Sequence, residues 1–258
     1  MKIKLDLTDF EYSKKEDVKA LKKDWSRIED AIITRVSSLL PFKEFTEEIT
    51  VLILDSDKEE QSENTITIDP IYTTETEAFV SKVSHEVYGL LCHNLIKFDV
   101  DAINEEDKDI VRTLETIQIE GIGDHIDIEY FIEEVSHKFL NEEYKTQFKA
   151  TLNNISQSIM KLDTILREIT QNMSQSERLG EELREFTPPY GNPVGYYMAN
   201  LIIKNSFVEE MLRDIGNPFS FFKLYNQAVL KDREEIPSFS SDTINLMDKL
   251  EQKYIKLK

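Results

Sequence analysis

The stretch EITVLILDSDKEEQSENTITID, residues 48–69, decides the fold class. Ile49, Val51, Leu52, Ile53 and Leu54 surround Thr50 in a dense, largely β-branched run that suits a pleated strand. A polar turn follows, Asp55 to Asn64, and then Thr65-Ile66-Thr67-Ile68-Asp69 alternates with period two up to Pro70. Two strands joined by a short polar segment are expected to pair antiparallel. Upstream, Met1-Lys2-Ile3-Lys4-Leu5-Asp6-Leu7 alternates as well, which gives a short strand over 2–7. Almost everything else reads as helix. Val18, Leu21, Trp25, Ile28, Ile32, Ile33, Val36 and Leu39 recur at three- and four-residue steps, so one long helix is expected from about 15 to 40, ended by Pro41. From Thr74 onward the pattern stays helical. The expected segments are 75–98, 105–125, 128–140, 142–173, 192–215, 217–230 and 239–256, the last capped by Ser241 or Asp242. The marked break is Phe186-Thr187-Pro188-Pro189-Tyr190-Gly191-Asn192-Pro193, a stretch of turn formers.

Composition supports long helices. The 258 residues hold seven Gly and seven Pro, about 5% together, against roughly 12% in average proteins. So few breakers argue against a sandwich, a propeller or a flexible linker protein. No repeat and no linker-like boundary is visible. The expectation is one predominantly helical α+β domain over 1–258, with a helix and a small antiparallel sheet in 1–73 and a helical part in 74–258. Thirty-one basic residues face 50 acidic ones, for a net charge of −19. That surface offers no basic footprint for nucleic acid and repels anionic lipid. The N-terminus lacks the apolar core of a signal peptide, and no run of 18 apolar residues exists. The single cysteine, Cys92, lies in an apolar stretch and reads as packing. A cytoplasmic address is expected.

Of four histidines, two stand beside carboxylates: His85-Glu86 in the helix from 75, and His125 after Glu120-Gly121-Ile122-Gly123-Asp124. The zinc-peptidase motif His-Glu-x-x-His works because histidines at i and i+4 share a helix face and reach one ion. The intervening Glu serves as general base, and a Glu from another helix is the third ligand. Here His85, Glu86 and Glu120 are present, but position 89 is Gly. His93 cannot replace the missing ligand, because eight residues rise about 12 Å along a helix. Asp124 lies at i+4 from Glu120 and shares its face. A site of His85, Glu120 and Asp124 is therefore the candidate. It is oxygen-rich, and so weaker for zinc and tolerant of other divalent metals. Tyr190, Tyr196 and Tyr197 offer a donor for the oxyanion of a tetrahedral intermediate, with Tyr197 carried forward as the candidate. His137 and the aromatic set Phe207, Phe219, Phe221, Phe222 and Tyr225 read as surface and core.

The ordered elements His85-Glu86-x-x-Gly89, Glu120-Gly121-Ile122-Gly123-Asp124, Gly195-Tyr196-Tyr197-Met198-Ala199, Asn217-Pro218, Phe222 and Tyr225 carry a resemblance. From about residue 75 to 230 the chain resembles an uncharacterised family of zinc-dependent peptidases of the gluzincin kind, assigned mainly by motif. Its pattern is His-Glu-x-x-His, Glu-Gly-x-Ala-Asp, Gly-Tyr-x-Met-Ala, then Asn-Pro and Phe. The resemblance implies a zincin-like fold with Zn2+ between the two motif helices and a peptide or protein as substrate or partner. Gly89 departs from the pattern. Two functions are expected from it: a metal-dependent peptidase with a degenerate site and weak or no activity, or a catalytically silent zincin-fold module that binds a peptide or protein.

Overall fold

In the computed structural model the described residues are 1–6, 15–41, 46–54, 64–134, 139–172, 175–186, 193–232 and 236–255. His137, Tyr190 and most of the turn after Leu54 lie outside them. The elements are β1 (Lys2–Asp6), α1 (Lys15–Lys23), α2 (Trp25–Ser38), β2 (Glu48–Ile53), β3 (Thr65–Ile68), α3 (Thr76–His93), α4 (Glu105–Glu129), α5 (Glu142–Asn153), α6 (Ile155–Gln171), α7 (Ser176–Phe186), α8 (Pro193–Lys204), α9 (Val208–Arg213), α10 (Pro218–Lys231) and α11 (Ser241–Tyr254). Helix dominates and the sheet is small.

The sheet corrects one expectation. Its order is β1-β2-β3 and both pairings are parallel, not antiparallel. Ile3 aligns with Ile49, and Val51 with Ile66. The period-two pattern fixes which face of a strand is buried and says nothing of its partner's direction. Between β1 and β2 the chain travels through α1 and α2, a crossover that returns it to the same end, as parallel pairing requires.

The described chain divides into two compact units, Met1–Leu91 with Gly123–Lys145, and Cys92–Ile122 with Thr146–Lys258. In the first, Ile49, Val51 and Ile53 alternate into the core with Ile66 and Ile68, and α2 contributes Ile28, Ile32 and Val36. The expected helix over 15–40 is two helices, broken at Asp24, whose carbonyl accepts from Arg27 and Ile28. The start of α2 secures β1: the Ile3 amide donates to Glu29 Oε1 (2.9 Å) and the Ile3 carbonyl accepts from Trp25 Nε1 (3.3 Å). Trp25 also meets Phe79 of α3 edge-on. A small aromatic group, Tyr72, Phe131 and Phe139, closes round Ala78.

In the second unit α6 packs on α7 and α11, and α10 on α8 and α11. Ser240, one residue before the expected caps, is the N-cap of α11, and its hydroxyl also donates to Asp163 of α6 at 2.9 Å. The expected helix 142–173 breaks at Asn154, and 192–215 breaks between α8 and α9. α7 was not anticipated, since only Leu179 and Leu183 of its sequence mark a buried face. Among the described residues no helix is long and apolar enough to cross a membrane.

Candidate metal centre

α3 carries Lys82, His85, Glu86 and Gly89 at three- and four-residue steps, so all four share one face. The last turns of α4 carry Asp124 and Asp127, three apart and likewise on one face. His85, Asp124 and Asp127 each offer a ligand atom, and these atoms all lie within 4.8 Å of one another. His85 Nδ1 is 3.0 Å from Asp127 Oδ1. Both aspartates are buried, at 2% and 7% exposure, while His85 is half-buried.

Two glycines shape this meeting. A Cβ on Gly123 would sit 3.1 Å from the Tyr88 ring and 3.6 Å from His85 Cε1. The absent side chain is what lets α3 and the end of α4 approach. Gly89 is different, because a Cβ there would meet no packed neighbour within 4 Å. The position is open rather than filled by something else.

The arrangement fits a divalent cation. Donors around one zinc lie ~2.1 Å from it and therefore roughly 3–4 Å apart. The three donor atoms already lie near that spacing, within the reach of small side-chain rotations. Two carboxylates are buried beside the imidazole, and buried charges are paired or hold metals. One nitrogen and two oxygens form a donor set that zinc accepts and that Mn2+ and Mg2+ suit.

Glu86, the expected general base, is bonded through Oε1 to Lys82 Nζ. Burial pushes the Lys82 ammonium down. The charge and hydrogen bond of Glu86, with Tyr72 and Asp127 nearby, outweigh that and hold it above the ordinary lysine range. Burial likewise raises the Tyr72 phenol, with Lys82 opposing. Glu120 and Tyr197 belong to the second unit. Both are half-buried, and the Tyr225 phenol is held above its usual range first by burial and then by the charge of Tyr197 on α8. Among the described residues the group that converges on one point is His85, Asp124 and Asp127, without Glu120. The sequence reading missed Asp127. Its signal was a second aspartate three residues after Asp124, between Ile126 and Ile128.

The other motif residues hold the second unit together. A Cβ on Gly121 would lie 2.3 Å from the Gly195 carbonyl carbon, and one on Gly195 would lie 2.0 Å from the Ile117 carbonyl oxygen. The Glu-Gly and Gly-Tyr elements are therefore where α4 and α8 touch backbone to backbone. Buried Gln118 accepts from the Gly216 amide and donates to the Asp214 and Asn217 carbonyls. Asn217 caps α10 through the Ser220 amide, and its side-chain amide donates to Glu251 at 2.7 Å. Gly216 takes a φ of +80°, which favours glycine, and a side chain there would strike the Leu95 carbonyl.

Over residues 11–234 the chain matches the family described as "Putative zinc dependent peptidase (DUF5700)". It belongs to this family. No curated protein and no solved structure matches it. The family's description names zinc, and the donor set of His85, Asp124 and Asp127 agrees with a divalent metal on chemical grounds of its own.

Proposed function

We propose that this family member is a metal-dependent hydrolase of peptides with weak turnover, its divalent ion held by His85, Asp124 and Asp127. The observation that carries the reading is the convergence of those three side chains from α3 and α4 within one buried group. A bound divalent ion polarises a carbonyl and makes water a better nucleophile. Of the chain's own residues, Glu86 on the same face of α3 is the proton acceptor. Its Oε1 is already engaged by Lys82 Nζ, and an oxygen-rich donor set holds zinc less firmly. Both features make turnover slow. Glu120 and Tyr197 are not needed by this reading.

The same Lys82–Glu86 pair favours a second reading, a silent module that binds a peptide or protein near the metal group without cleaving it. Calorimetric titration with Zn2+ tests the first reading. One ion per chain is expected, with affinity at least ~10-fold lower in His85→Ala and in Asp124→Asn. Unchanged affinity in both variants overturns the site. If the ion binds and hydrolysis of a mixed peptide library is nil, the silent module stands.

A further inference from the structure

We infer that Lys82 is a built-in cation of this site, which holds Glu86 and competes with the divalent ion for the negative charge of the His85 group. The inference rests on the metal reading above and adds a residue to it. Lys82 stands one turn before His85 on the metal-facing stripe of α3, and Gly89, one turn after, contributes nothing. Its side chain is 29% exposed, so its charge is only partly screened by solvent. The ammonium is bonded to Glu86 and lies in the field of Asp127, the carboxylate bonded to His85. With the ion absent, this ammonium already pairs with Glu86, next to His85 in the chain. With the ion present, the same ammonium, three residues before His85 on one helix, repels it. Lys82 thus sets a low ceiling on metal affinity. It also engages Glu86, the carboxylate next to His85 in the chain.

The test is Mn2+ titration of the full chain, read as loss of the free-ion electron paramagnetic resonance signal. Lys82→Gln should bind Mn2+ about 10-fold more tightly than the parent chain or better. Lys82→Arg keeps the charge and should bind like the parent. Glu86→Gln leaves the ammonium to Asp127 alone and should bind more weakly. Circular dichroism checks that each variant folds, and Lys82→Met replaces Lys82→Gln if the latter does not. Equal affinity in parent, Lys82→Gln and Lys82→Arg overturns the inference while leaving the metal site in place. A parent chain that takes up no Mn2+, with Lys82→Gln equally inert, removes both the inference and the reading beneath it. Uptake by Lys82→Gln where the parent shows none supports both.

Discussion

At the scale of single residues, Gly89 is the most informative position. It is open, lies on the metal-facing stripe of α3, and follows His85 by four. Gly89→His should therefore raise zinc affinity at least ~10-fold, and His85→Ala in that background should cancel the gain. Equal affinity by calorimetry would mean that position 89 does not look toward the metal group. Glu115 on α4 gives a separate test. Burial lifts its carboxyl from 4.5 to about 6, against the opposing charge of Arg112, and its buried Oε1 has no hydrogen-bond partner among the described residues. The folded chain thus holds this proton more tightly than the unfolded chain. The favourable contribution is complete below about 4.5 and is lost as pH rises through about 6. Glu115→Gln should abolish that loss and leave the protein about 2 kcal/mol more stable at pH 7. Urea midpoints at pH 5 and pH 7 measure it, and a parallel shift at both would refute the assignment.

At the scale of elements, two glycines in helices should respond oppositely. Gly89→Ala removes a helix-breaking residue from open space and should stabilise by about 1 kcal/mol. Gly195→Ala drives a methyl into the Ile117 carbonyl and must part α8 from α4, at a cost of about 3 kcal/mol. Denaturant unfolding of the pair checks both signs. The elements themselves were largely legible. Period-two runs marked β2 and β3, and three–four periodicity marked most helices, because burial of one face writes itself into the order of residues. Strand direction was not legible from the strands. For β1 and β2 it lay in the connection, where α1 and α2 carry the chain back across the sheet, whereas residues 55–63 between β2 and β3 lie outside the described ones. The breaks at Asp24 and Asn154 use neither Gly nor Pro, so no local signal announced them. In the site, His85 and Asp124 could be picked out as acid and imidazole on motif helices. Asp127 was passed over because the spacing was counted forward from Glu120, whereas the side chain it meets, His85, is on α3.

At the scale of the whole molecule, the charge of −19 draws divalent ions to the surface diffusely. Salt separates that cloud from a built site, since the screening length shrinks from about 10 Å at 0.1 M to about 3 Å at 1 M. Raising the salt should remove all but one Zn2+ per chain. The retained ion should slow hydrogen exchange in α3 and the end of α4 before the helices of the second unit, because its donors all belong to the first. Loss of every ion in high salt would leave only a surface effect. The way α2 grips β1 bears on how a peptide could arrive. With the Ile3 amide and carbonyl already engaged by Glu29 and Trp25, an incoming extended chain cannot zip onto that side of the sheet without first displacing both. The same displacement at Ile3 faces a second copy of the protein that would add a strand there.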